Sequence, residues 1–259
     1  PGDRPDRFDK ACAANADAVI VDLEDAVPSA AKAQARRQLA SWLSPAHPVF
    51  VRINSAGSEW FRDDLELCGR PGVAGIVVPK AEHEQDLAAL AQAGATTILP
   101  QIESALGLWN AVSLARAPGV QRLVFGAIDF SFDAGIKEGH EQLLYARSQL
   151  VLVSRVAGIQ APVDGVTTAL DDPERLRDDA LRARALGFGG KLCIHPKQVS
   201  VVNTAFAPTD AELDWAGRVM AAAAASQGAA VALDGKMVDR PVILIAQQML
   251  EEAGRRGSD

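Results

Sequence analysis

The sequence predicts an α/β protein folded as a (β/α)8 TIM barrel. Three observations lead there: short apolar or β-branched runs recur along the 259 residues, alanine-rich stretches alternate with them, and each run stops at a polar residue. Continuous apolar runs of this length suit parallel strands covered on both faces, and regular strand–helix alternation is the pattern of βαβ units. The length is close to the ~250 residues of a single barrel.

In chain order the strand candidates are AVIVDLED (18–25), VFVRIN (49–54), GIVVPK (75–80), TTILPQIE (96–103), RLVFGAID (122–129), APVDGV (161–166) and GKLCIHP (190–196). Helices are expected over SAAKAQARRQLASWL (29–43), EHEQDLAALAQAG (82–94), YARSQLVLVSRVAGI (145–159) and DPERLRDDALRARALG (172–187). The opening PGDRPDRF reads as a loop that follows a strand, so an eighth strand, the first of the barrel, is expected before Pro1 and absent from the chain as given. No G-x-G-x-x-G follows any strand, which argues against a dinucleotide-binding sheet, and GFGGK (187–191) precedes its strand and reads as a turn. The barrel domain is assigned to 1–206. Residues 207–259 form a C-terminal helical extension or lid, with helices near 210–226 and 240–254 joined by QGAAVALDGKMVDRP, that packs on the barrel or on a neighbouring subunit.

A formal charge of −7 argues against a general affinity for nucleic acid or an anionic membrane. Three scattered cysteines, Cys12, Cys68 and Cys193, suggest neither a disulfide framework nor a cysteine zinc site. With no long apolar run and no signal-peptide pattern, a cytoplasmic protein is expected.

Barrel chemistry takes place at the C-terminal strand ends, where the loops converge. That rim carries Asp22, Glu24, Asp25, Arg52, Asn54, Lys80, Glu103, Asp129 and His195, with Asp3 and Arg4 in the opening loop. Any one of these acids reads first as an arginine's partner or a helix cap. Glu103 and Asp129, ending successive strands, read together as a pair that must share a proton or hold a cation. Oxygen-only ligation suits Mg²⁺, or Mn²⁺, better than zinc. Arg52 offers a guanidinium fork to a substrate carboxylate, or an ion pair to Glu24 or Asp25. Lys80 is expected in a rim ion pair more than as a Schiff-base amine, His195 in a structural hydrogen bond, and His47, His83 and His140 outside the chemistry.

The motifs PGDRPDRFDKA, VIVDLEDAVP, VRINS, VVPKAE, LPQIESALGL, FGAIDFSFDAG, LLYARSQLV, GKLCIHPKQV and GKMVDRPV occur in the order seen in citrate lyase β-subunit-like (CitE-like) proteins of the HpcH/HpaI aldolase/citrate lyase family, which the chain resembles through nearly its whole length. The resemblance implies a homotrimeric or hexameric (β/α)8 enzyme, a metal-dependent carbon–carbon lyase of the oxo-acid type. Its substrates would be 3-hydroxyacyl thioesters such as citryl-, malyl- or citramalyl-CoA, and its products a 2-oxo acid and an acyl-CoA such as acetyl-CoA. It further implies Mg²⁺ on Glu103 and Asp129, substrate binding by Arg4, Arg52 and Glu103, and catalysis by Arg52 and by Asp239, offered to a neighbouring subunit's site. Glu24, Asp25, Lys80 and His195 are secondary candidates. The alternatives are an HpaI-type class II aldolase acting on free 2-oxo acids, a Schiff-base aldolase using Lys80 or Lys191, and a citrate lyase subunit active only with an acyl carrier protein.

Overall fold

The computed structural model describes residues 1–137, 141–226 and 230–256, the side chains of the last two excepted. Internal contacts divide the chain into two units, Pro1–Asn203 and Thr204–Asp259. No helix among the described residues is long and apolar enough to cross a membrane.

The first unit is built on one seven-stranded sheet: β1 (Ile20–Asp22), β2 (Val49–Arg52), β3 (Val73–Val78), β4 (Ile98–Ile102), β5 (Val124–Phe125), β6 (Val163–Asp164) and β7 (Gly190–Lys191). Each strand pairs in parallel with the next in sequence, the neighbour order of a barrel. The outer edges of β1 and β7 pair with no strand among the described residues, so the expected closed (β/α)8 ring is seen as seven consecutive staves. Helices Lys32–Trp42, Glu84–Gln92, Leu144–Ala157 and Pro173–Leu186 fall where the alanine-rich stretches place them. The GFGG segment is the turn expected: Gly187 takes the left-handed conformation (φ 99°) that ends the last of these helices.

Several strands are shorter than their apolar runs. RLVFGAID is strand only over Val124–Phe125, because Ala127–Asp133 is already helical; Asp129 therefore lies in the first turn of that helix and not at a strand end.

Side-chain alternation decides what the strands present. Val77, Leu99 and Val124 form one buried cluster, with Ile20, Phe50, Val163 and Leu192 packed against it, so that β1 to β6 and the residue after β7 supply one common face. Two residues on from these positions come Asp22, Arg52, Gln101 and Gly126, and two further on from Gln101 comes Glu103. A period of two keeps all of them on the face that the cluster lines. Val21, Val51, Ile76, Ile98, Ile102 and Phe125 point the other way and are buried.

The chain beyond β2 is fixed by a buried carboxylate. Asp64 is fully buried and accepts from Arg36 Nε (2.7 Å), from the Asn54 amide nitrogen (2.8 Å) and from Asn54 Nδ2 (2.7 Å). Asn54, expected on the rim, is thus an internal support.

In the second unit, helices Asp210–Ala225 and Arg240–Arg256 are accompanied by an antiparallel hairpin, β8 (Val231–Leu233) and β9 (Lys236–Val238). The purely helical expectation is corrected here. Asp234 and Gly235 both take positive φ (50° and 73°), the requirement of a tight type I′ turn, and Asp-Gly is the pair that meets it most readily. Ala216, Val219, Val238 and Ala246 form this unit's buried centre, with Trp215, Leu233, Ile243 and Met249 against it. Thr209 and Glu212 close a capping box at the first helix.

Asp64→Ala leaves the Arg36 guanidinium buried beside an empty site, and chemical denaturation should show a loss of about 3–5 kcal/mol. A loss below about 1 kcal/mol would show that the network carries no stability.

Candidate active site

The register of β1 on β2 sets Asp22 directly opposite Arg52. The guanidinium donates from Nε to Asp22 Oδ1 and from Nη2 to Oδ2, both at 2.7 Å, while Nη1 stands 3.5 Å from Glu24 Oε2. Burial opposes the charge on Arg52, yet the bonds from Asp22 and the negative charges of Asp22, Glu24 and Glu103 outweigh it and raise its pKa. Burial likewise opposes ionisation of Asp22, but its bonds to Arg52 and to the amides of Glu24 and Ala26 bring its carboxyl below the usual range. The sequence offered Arg52 as a bidentate substrate clamp or as the partner of Glu24 or Asp25. The structure shows the ion pair with Glu24, adds Asp22 as the partner that occupies the fork, and leaves Asp25 exposed; only the Nη1 edge is left over for a substrate.

Lys80 follows β3 in the left-handed region (φ 49°), an unfavourable place for a lysine. Both of its ends are used there. Its amide donates to Glu103 Oε2 (2.8 Å) and its ammonium to Glu24 Oε1 (2.8 Å). This is the rim ion pair expected for Lys80. Lys191, the other Schiff-base candidate, has its side chain 2 % exposed, donating to the Gly165 carbonyl (2.6 Å) 3.7 Å from Asp164. The next residue, Leu192, belongs to the inner cluster, so Lys191 lies on the outer face of the sheet.

Glu103 is 3 % exposed, and it is neither a helix cap nor a solvated loop acid. Ser104 caps the helix Ala105–Trp109, its hydroxyl accepting from the Gly107 amide. Glu103 accepts instead from the Lys80 amide and from Gln101 Nε2. Burial, then the charges of Glu24 and Asp129, push its carboxyl up to about 7, against the Lys80 amide and Arg52, which favour the anion. Gly126 lies against it: a Cβ there would overlap Glu103 Cγ and Oε1. Gln101 was missed from sequence, although its place two residues before Glu103 on one strand is the signal that would have found it.

Charges in this mouth pair off unevenly. Arg52 answers Asp22 and Lys80 answers Glu24, while Glu103 is bonded only to neutral donors and half-buried Asp129 has no basic partner among the described residues. Two acids close enough for one to shift the other, with no counter-charge, fit a divalent cation. Among the described residues no group of three or more His, Cys, Asp or Glu could hold an ion, so water or a ligand must complete the shell, as Mg²⁺ prefers.

Arg4 is exposed and donates to both oxygens of Asp6 (2.9 Å each), in a turn tied to β1 by the Gly2 amide on the Asp22 carbonyl (2.7 Å). His195 accepts through Nδ1 from the Lys197 amide (3.1 Å), a structural role. His47 packs beside Trp42, His83 precedes the helix Glu84–Gln92, and His140 lies outside the described residues. Asp239 belongs to the second unit, at the start of its last helix, where Oδ1 accepts from the Val242 amide at 3.4 Å.

Comparison with known proteins identifies the family. The model of the HpcH/HpaI aldolase/citrate lyase family matches residues 1–196. A citrate lyase subunit beta-like protein of Deinococcus radiodurans is 41 % identical, over 96 % of this chain and 94 % of its own. A (3S)-malyl-CoA thioesterase of Cereibacter sphaeroides is 36 % identical, over 98 % and 92 %. The crystal structure of CitE from Mycobacterium tuberculosis in complex with magnesium, acetoacetate and coenzyme A superposes with a TM-score of 0.88 at 36 % identity, covering 98 % of this chain and 96 % of that one. A sheet of parallel staves with an acidic mouth, matched at this identity over this length, places the chain in the HpcH/HpaI aldolase/citrate lyase family.

Proposed function

We propose that the chain is a Mg²⁺-dependent carbon–carbon lyase acting on 3-hydroxyacyl thioesters of the malyl-, citramalyl- or citryl-CoA type, releasing a 2-oxo acid and an acyl-CoA. The observation that carries the reading is the pair Glu103 and Asp129, which has no basic partner among the described residues in a mouth where Asp22 and Glu24 are already paired with Arg52 and Lys80. The relative with magnesium, acetoacetate and coenzyme A bound supports it, as does the malyl-CoA thioesterase.

In this reading Glu103 and Asp129 hold the ion. When bound, it supplies Lewis acidity that lowers the pKa of the substrate hydroxyl. Arg52, immobilised by Asp22, presents Nη1 to the substrate's carboxylate, and Arg4 on the opening turn adds a second positive charge. Cleavage breaks the hydroxyl O–H bond and the C2–C3 bond: the O–H pair becomes the carbonyl of the oxo acid, and the C–C pair passes to the thioester enolate. Asp239, delivered by a neighbouring copy in a homotrimer or hexamer, is proposed to accept the hydroxyl proton and return it to the enolate carbon, so that proton and electron pairs balance. Three free thiols accord with a cytoplasmic, reducing setting.

A panel of malyl-, citramalyl- and citryl-CoA against free hydroxy-oxo acids, run with and without an acyl carrier protein, tests the substrate class. Turnover of at least one thioester without the carrier is expected, abolished by EDTA, restored by Mg²⁺ or Mn²⁺, and insensitive to borohydride trapping. Turnover that persists in EDTA would remove the reading. Glu103→Gln should lower kcat/KM at least about 100-fold, the upper end of what loss of mere outer-shell partners costs a metal site. Full activity in that variant would exclude Glu103 as a ligand. Gly126→Ala should displace the Glu103 carboxylate and weaken Mn²⁺ binding about tenfold, with little change in melting temperature. Unchanged Mn²⁺ affinity would show that the contact at Gly126 does not position the ligand.

A further inference from the structure

Glu24 is not used by the chemistry above, and its two oxygens differ sharply. The residue is 5 % exposed; Oε1 accepts from Lys80 Nζ at 2.8 Å, while Oε2 is buried without a hydrogen-bond partner. Oε2 stands 3.5 Å from Arg52 Nη1, the one corner of that guanidinium not bonded to Asp22. A buried acceptor with no donor costs free energy unless a ligand completes it. Oε2 and Nη1 therefore stand side by side as one acceptor and one donor, both held rigidly from behind.

An edge of that kind matches a group offering one donor and one acceptor on neighbouring atoms. A 2-hydroxycarboxylate is such a group: its hydroxyl donates, and an oxygen of its carboxylate accepts. A 2-oxo acid keeps the acceptor but replaces the donor by a carbonyl oxygen, which would face Oε2 with no proton between them.

We infer that Glu24 is a substrate-binding residue whose Oε2 accepts the hydrogen bond of the substrate hydroxyl, beside Arg52 Nη1 on the adjoining carboxylate. It distinguishes the hydroxy acid from the oxo acid left after cleavage. The assignment rests on the hydroxyacyl substrate class proposed above. Lys80 is the positioning residue: its ammonium fixes Glu24 Oε1 and leaves Oε2 as the oxygen still lacking a donor.

The test compares malate with oxaloacetate, which share a skeleton and differ in the hydroxyl, by calorimetry at saturating Mg²⁺ on wild type and Glu24→Gln. The variant keeps the shape and turns the acceptor into a neutral amide. Malate affinity should fall at least about tenfold relative to oxaloacetate, the effect of losing one hydrogen bond to a charged group. Mn²⁺ affinity and melting temperature should stay near wild type. Should Glu24→Gln not fold, Glu24→Asp, which keeps the charge and withdraws it by one methylene, is read by the same ratio. Equal loss of both acids, no change in the ratio, or a wild type that binds neither acid overturns the assignment. A shifted ratio in a protein that cleaves no thioester would sink the lyase reading and leave the hydroxyl contact standing. Thioester cleavage with an unshifted ratio would do the reverse.

Discussion

Two ion pairs, Asp22 with Arg52 and Glu24 with Lys80, set the electrostatic state of everything else in the mouth of the sheet. Buried charge is tolerated only where an opposite charge or a full set of hydrogen bonds answers it. Arg52 and Lys80 are occupied by the two acids of the β1 end, so among the described residues Glu103 and Asp129 have no basic partner of their own. Burial first, then the negative charges of Glu24 and Asp129, drive the Glu103 carboxyl up to about 7, and a divalent ion beside it would act in the opposite direction. The same pairings make Arg52 a fixed group with one free corner.

The backbone bears part of the cost of this arrangement. Lys80 accepts a left-handed conformation, unfavourable for a residue with a Cβ, so that one residue can aim its amide at Glu103 and its ammonium at Glu24. Glycine would adopt the same φ without strain but would take away the ammonium bonded to Glu24 Oε1. At Gly126 the requirement is reversed: any side chain would enter the volume of Glu103, so the β5 end must give up its Cβ for the carboxylate to reach its place. Gln101 and the Lys80 amide then hold the two oxygens of Glu103 from separate strand ends, which fixes its orientation with neutral donors and leaves its charge available.

The sequence by itself determined the order of strands and helices and the face on which the polar strand ends lie. Both are local properties: apolar runs alternating with alanine-rich ones, and a side-chain period of two that carries Asp22, Arg52 and Glu103 onto one face. The resemblance of its motifs named the family, and the comparisons bear that out. Only the tertiary structure decided which acid answers which base, because the partners are 30 residues apart in Asp22–Arg52 and 56 apart in Glu24–Lys80, and the choice depends on strand register. One residue of slip would set Val21 or Leu23 opposite Arg52 and leave the guanidinium without an acid across the strand pair. It also placed Asp129 on a helix, because a helical turn begins right after Gly126, and turned an apparent connection at 231–238 into a hairpin closed by Asp234 and Gly235, a pairing that needs both strands in place before its turn means anything.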